Sequence, residues 1–305
     1  MNKTVSASLF GAAFVAALLT AAPQSHAGKP ANGAANAGQS SSATPAQAAA
    51  DWPGGRKFDQ VFIIILENQD AADVLQDPYM KELARRGAYL ANYHGVGHPS
   101  YPNYLALTGG STFGATSNAQ KNLDVSSIAD LLEAKGLGWA QFAEDYPGGP
   151  ANCFTGDYRG RYGRKHAPFL SYTPITRGPR CLQHVADASN LPFPLPSYSL
   201  FVPNMDNDGH DTSIAYASNW LKGFLEPLLA RPELAKTLVV VTFDESKTGN
   251  SPVYTVFLGS MIRAGTTDDT VYDHYNLLRT VEDNFQLGDM GREDAKSFPI
   301  TAVWK

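Results

Sequence analysis

Val61-Phe62-Ile63-Ile64-Ile65-Leu66 runs without a break into Glu67-Asn68, and far along the chain Leu238-Val239-Val240-Val241-Thr242-Phe243 runs into Asp244-Glu245. Unbroken β-branched runs of this length read as strands buried on both faces, the kind found in parallel sheets covered by helices. In such sheets ligands bind beyond the carboxyl ends of the strands. An acid–amide pair and an acidic pair at those ends therefore predict a converging cluster of oxygen ligands, suited to a metal ion.

The segments around these runs extend the pattern. Residues 77–86 have helical composition and end at Gly87. His98-Pro99-Ser100-Tyr101-Pro102-Asn103-Tyr104 enters a helix for which Ser100 is a suitable N-cap, with Pro102 tolerated in the first turn. Residues 127–135 predict a helix, 138–143 a strand, and 146–203 long loops rich in Gly, Pro, Tyr and Arg. A strand at 198–202, a helix at 216–229 with Trp220, Phe224 and Leu228 inward, a strand at 253–258 and a helix at 275–285 complete the chain. Strands alternate with helices without internal repeat, so the fold class is α/β with a largely parallel sheet.

The N-terminus predicts export. Lys3, the apolar stretch from Leu9 and the small-x-small Ser25-His26-Ala27 read as a signal peptide over residues 1–27. No twin-arginine pair precedes the apolar stretch, so the chain is expected to cross unfolded and to meet any metal outside the cytoplasm. Residues 28–50, almost free of large apolar groups, read as a flexible leader, which leaves 51–305 as one sizeable α/β domain. The compartment is periplasmic or extracellular. Cys153 and Cys181, the chain's 2 cysteines, are expected to form a disulfide there. A net charge of -5 gives no sign of a nucleic-acid-binding surface, and no later apolar run is long enough for stable membrane insertion.

Glu67, Asn68, His98, Ser100, Asn103, Lys165, His166, Asn204, Asp208, His210, Asp244, Glu245 and His274 are the candidates for chemistry, most of them at a strand end or in the loop after one. Carboxylate, amide and imidazole without thiolate suit Zn, Mn, Mg, Ca or Fe. A serine at a helix start is also a place where free N–H groups and the helix dipole hold a phosphate. The EF-hand spacing, the G-x-S-x-G elbow, the P-loop and G-x-G-x-x-G are all absent.

Six segments in order carry a family resemblance: Glu67-Asn68; His98-Pro99-Ser100-x-Pro102-Asn103-Tyr104; Tyr162-x-x-Lys165-His166-x-Pro168-Phe169; Pro203-Asn204-x-x-Asn207-Asp208-Gly209-His210-Asp211; Thr242-x-Asp244-Glu245-Ser246; and Tyr272-x-His274-Tyr275. Together they resemble the phosphoesterase family of secreted acid phosphatases and bacterial phospholipases C. The resemblance implies an alkaline-phosphatase-like three-layer α/β fold and metal-assisted cleavage of a small phosphate ester. It implies one or two divalent ions held by Glu67, Asn68, Asp244 and Glu245, with Asp208 on the other side. It also implies Ser100 as nucleophile, His210 or His274 as acid, and Asn103, Lys165, His166 and Asn204 around the phosphate. A phosphomonoesterase leads; a phospholipase C-type phosphodiesterase and a non-catalytic metal- or glycan-binding module are the alternatives.

Overall fold

The computed structural model describes residues 54–149 and 151–305; the signal peptide and leader expected in the sequence lie outside them. The two apolar runs are neighbouring strands, β1 (Gln60–Leu66) and, in the same direction, a partner at Thr237–Phe243. Every side chain from Val61 to Leu66 and from Thr237 to Phe243 is buried, so the continuous pattern does mark two-sided burial.

Around them lie β2 (Ala88–Leu90), β3 (Trp139–Ala143), β4 (Val185–Asp187), β5 (Tyr198–Val202), β6 (the Thr237–Phe243 strand), β7 (Thr255–Leu258) and β8 (Thr266–Asp268). They form one sheet in the order β8-β2-β7-β6-β1-β5-β3-β4. All pairings are parallel except the two made by β7. The strand expected at 253–258 is thus present but reversed: only a short loop separates it from β6, and a parallel crossover needs a dozen residues or more. β4 lies inside the segment read as loops, where three residues on a sheet edge carry too little periodicity to detect.

The register decides the site. Leu66 pairs with Phe243, so Glu67 and Asp244 leave adjacent strands at one level. Asp244 N–H donates to the Leu66 carbonyl (3.1 Å), and Glu67 N–H donates to the Asp208 carbonyl (3.0 Å), which draws the loop after β5 to the same place.

Five longer helices cover the sheet: α1 (Pro78–Arg86), α2 (Ser100–Gly109), α3 (Ile128–Ala134), α4 (Ile214–Leu229) and α5 (His274–Phe285). Asp77 caps α1 by accepting from Tyr79 and Met80 N–H, and Ser127 with Asp130 forms a capping box on α3. α4 buries Leu221, Leu225 and Leu228, while Trp220 and Phe224 are half-buried and stack on each other at its flank. α2 is buried along its whole length. It ends at Gly110, whose φ of 64° favours glycine and where a Cβ would strike the Asp294 carboxylate at 2.5 Å. Cys153 and Cys181 are joined, with Cα atoms 5.8 Å apart.

Candidate active site

Ser100 is the first residue of α2, and its N-cap position is held by Pro99. The hydroxyl therefore does not cap the helix, as the sequence suggested. It lies 3.0 Å from Glu67 Oε2 and 3.2 Å from Glu245 Oε1, and accepts from Lys165 Nζ at 3.3 Å. Three groups from three other segments thus converge on one buried oxygen. The free helix N–H groups expected to hold a phosphate are largely absent, because Tyr101 N–H donates to Asn118 Oδ1 and Pro102 has none.

Glu67 is fully buried and receives Tyr104 OH at 2.6 Å and Lys165 Nζ at 3.4 Å. His166 Nε2 lies 3.0 Å from Glu67 Oε1 but outside hydrogen-bonding geometry, and its Nδ1 is 3.6 Å from Asp208 Oδ2. Tyr104 was named in the sequence motif without a role. It sits one turn after Ser100, on the same helix face, and stacks on His166 with centroids 5.4 Å apart. That i, i+4 spacing is the signal that would have found it.

The loop carrying Gly95-Val96-Gly97 crosses close above the β6 end. A Cβ on Gly95 would meet the Asp244 carbonyl at 2.9 Å. Asn103 holds this loop: its Oδ1 accepts from Val96 and Gly97 N–H (2.7 and 3.2 Å), and its Nδ2 donates to the Gly97 carbonyl (2.8 Å). The amide is spent on backbone rather than left free for a phosphate. Asn204 is spent in the same way, donating to Asp145 Oδ2 and accepting from Asp206 and Asn207 N–H. His274 is buried, with Nε2 2.6 Å from the Asp244 carbonyl and Nδ1 3.0 Å from Tyr93 OH. Both ring nitrogens are thus engaged, and burial pushes the imidazole pKa down to about 4. His210 keeps about a third of its side chain exposed and pairs with Asp211 at 2.7 Å. His98 is half-exposed, touches Glu245 through Nδ1, and is 2.8 Å from the Gly249 carbonyl through Nε2.

The basic loop is less free than its composition suggests. Arg164 is buried on the Thr155 and Leu170 carbonyls and Asn122, and Arg161 is neutralised by Asp206 and Asp211. Lys165 is the cation that enters the site.

Charge is the main feature of the cluster. Burial alone would raise the Glu67 carboxyl, but His166, Lys165 and the Tyr104 hydroxyl hold it below the ordinary range. Burial lowers the His166 imidazole despite Glu67, whereas Glu67 and Asp244 keep Lys165 charged against its own desolvation. Burial, then the Glu67 charge, pushes Asp208 up to about 9. Burial, Glu67 and Glu245 push Asp244 well up, and burial raises Glu245 against the pull of His98. One ammonium does not balance four carboxyls, so the set stores protons or takes a cation.

Buried oxygens that accept no hydrogen bond mark where such a cation fits: Asn68 Oδ1, Asp208 Oδ2 and Asp244 Oδ2, with Glu245 Oε2 beside them in its contact with His98. Asn68 itself adopts φ 47°, a left-handed conformation that Asn tolerates better than most residues. An all-oxygen donor set of this kind suits a hard divalent ion. Among the described residues, no three His, Cys, Asp or Glu side chains are already drawn together as a metal site.

Solved structures with this architecture place the fold. A Vibrio parahaemolyticus protein of the alkaline phosphatase superfamily matches with a TM-score of 0.56 at 15% identity, over 79% of this chain and 70% of that one. The Listeria monocytogenes lipoteichoic acid synthase LtaP matches at 0.52 and 10%, over 82% and 77%. The fold is alkaline-phosphatase-like.

Sequence comparison narrows this class. Residues 73–288 match the Phosphoesterase family, and the chain belongs to that family. It is 38% identical over 268 residues to a probable acid phosphatase of Kluyveromyces lactis, covering 82% of this chain and 63% of that protein. It is 36% identical over 257 residues to a phosphatidylinositol-3-phosphatase of Mycobacterium tuberculosis, covering 81% and 83%. The chain spans only 58% to 63% of the length of the fungal acid phosphatases it matches.

Proposed function

We propose that this chain is an exported phosphoric ester hydrolase of acid phosphatase type, cleaving small phosphate monoesters with Ser100 as nucleophile. The observation that carries the reading is the Ser100 hydroxyl, buried, with two carboxylates and an ammonium within 3.3 Å. Nucleophilic attack needs the hydroxyl proton removed, and Glu67 Oε2 or Glu245 Oε1 is placed to accept it. Lys165 Nζ, donating to the same oxygen, stabilises the developing alkoxide. The Ser100 Oγ–phosphorus bond forms as the ester oxygen–phosphorus bond breaks, and the alcohol departs with a proton from His210 at the exposed rim. Water then cleaves the phosphoserine and releases inorganic phosphate.

Glu67, Asn68, Asp244 and Glu245 would hold a divalent ion, with Asp208 on the opposite side. Such an ion supplies Lewis acidity and neutralises phosphate charge. His166 and Lys165 flank the phosphate. The disulfide and the signal-like N-terminus support export.

Hydrolysis of p-nitrophenyl phosphate and p-nitrophenylphosphorylcholine, by metal-stripped protein reloaded with single divalent metals, tests the reading. Turnover of the monoester is expected. Preference for the choline diester moves the protein to the phospholipase C reading. Inactivity on both with metal bound leaves a binding module. The Mycobacterium relative adds phosphatidylinositol 3-phosphate as a natural monoester to assay beside them.

A further inference from the structure

A two-stranded hairpin, β9 (Tyr158–Arg159) with β10 (Tyr162–Gly163), stands outside the main sheet. Its two tyrosines are treated oppositely: Tyr162 is 2% exposed and Tyr158 is 54% exposed. A solvent-facing aromatic ring contributes little to a core.

That position is fixed. Tyr158 pairs across the strands with Gly163. A Cβ on Gly163 would lie 3.2 Å from the Tyr158 ring and 3.7 Å from the Lys165 stem, so the ring and the lysine converge on a residue that has no side chain. Lys165 then carries its ammonium to within 3.3 Å of Ser100 Oγ. The electrostatics agree, since Tyr158 is among the groups that raise Lys165.

The hairpin is also closed at its base and tied to a neighbouring loop. Arg164 N–H donates to the Asp157 carbonyl at 2.7 Å, and Met205 N–H donates to the Arg161 carbonyl at 3.1 Å. Arg161 further bridges Asp206 and Asp211, on the loop that carries Asp208 and His210. The exposed ring thus lies beside the Lys165 arm, on a hairpin tied through Arg161 to the loop that carries His210.

We infer that Tyr158 is a specificity-determining residue, its ring forming the wall against which a cyclic alcohol portion of the substrate lies, so that aryl monoesters are favoured over acyclic ones. The inference rests on the phosphomonoesterase reading above. An offset or edge-on contact between two rings changes discrimination by between about twofold and tenfold.

The test is the ratio of kcat/KM for p-nitrophenyl phosphate to that for glycerol 2-phosphate, measured on the full chain, on Tyr158→Ala and on Tyr158→Phe. The ratio is expected to fall by up to about tenfold in Tyr158→Ala and to recover in Tyr158→Phe. An equal fall on both substrates makes the ring a prop for the hairpin and overturns the inference, as does an unchanged ratio. A thermal melt of Tyr158→Ala accompanies the kinetics, so that a loosened hairpin is seen as such. If the unmodified protein turns over neither ester, the phosphomonoesterase reading itself falls.

Discussion

Two buried acidic clusters in this molecule are built from the same residue types and are used in opposite ways. At the strand ends, Glu67, Asp208, Asp244 and Glu245 surround a serine hydroxyl and a lysine ammonium. At the far end of α5, Glu282, Asp283, Asp289 and Asp294 surround Arg279. In the second cluster the charges are largely assigned. Asp294 accepts from Met290 and Arg292 N–H (2.5 and 3.0 Å), and Arg279 pairs with Asp283 (2.9 Å) and Asp289 (3.3 Å). Its backbone bonds and fork-like cation pin a loop against the end of α2, helped by Arg292 on the Gly109 carbonyl. Both clusters leave buried carboxyl oxygens without a hydrogen bond, Glu282 Oε1 and Oε2 and Asp283 Oδ2 in the second; what distinguishes the first is the serine hydroxyl and the lysine ammonium set among its carboxyls.

The sharpest way to break this contrast is Ser100→Ala. Phosphate-ester turnover should fall by at least about a thousandfold with the melting temperature little changed; retained turnover would remove Ser100 from the nucleophile role. Chelation comes next. Stripping divalent ions should abolish activity and lower thermal stability, and both should return on reloading. A protein whose second cluster has been altered should respond to the chelator identically, since that cluster is expected to hold no ion.

Arg279→Met attacks the other side of the comparison. It leaves buried carboxylates without their cation and should cost about 3–5 kcal/mol of folding stability in urea titrations. The kcat of the folded fraction should be nearly unchanged. Glu282→Gln is gentler. Both oxygens of Glu282 are buried without a hydrogen-bond donor, and burial followed by the Asp294 charge holds its carboxyl well above the ordinary value. The native state thus keeps a proton that the unfolded chain releases above about pH 4.5, and this contribution to stability is present below that pH and lost as pH rises, by at most about 1.4 kcal/mol per pH unit. The amide should flatten that slope between pH 5 and 8; an unaltered slope would place the missing proton elsewhere. The smallest effect belongs to Tyr104→Phe, which removes one hydrogen bond to the Glu67 carboxylate. A loss of about tenfold in kcat/KM, with stability nearly intact, is expected from a bond to a charged group.

The sequence was readable wherever one physical requirement dominated. β1 and β6 had to be apolar throughout, and their shared register brought Glu67 and Asp244 together. Ser100, Lys165, His166 and Asp208 followed because each lies in a segment anchored to a buried element. A side chain's use is harder to read where several requirements compete for it. Asn103, Asn204 and His274 are chemically fit to bind a phosphate, yet each is committed to holding backbone, and nothing in a residue's identity tells which use prevails. The direction of β7 was hidden for another reason: burial dictates that a strand forms, while the length of the loop before it dictates which way it runs.

The covalent bridge between Cys153 and Cys181 has a consequence for how this protein could be disarmed. The span it closes carries Tyr158, Lys165 and His166, but none of the central strands. Opening it would restore to that span the freedom that the crosslink removes from the unfolded chain, about 3–4 kcal/mol on a chain-entropy account. A thiol reductant is thus a means of slackening the span that carries Lys165 and His166 while the sheet and its acidic strand ends stay in place.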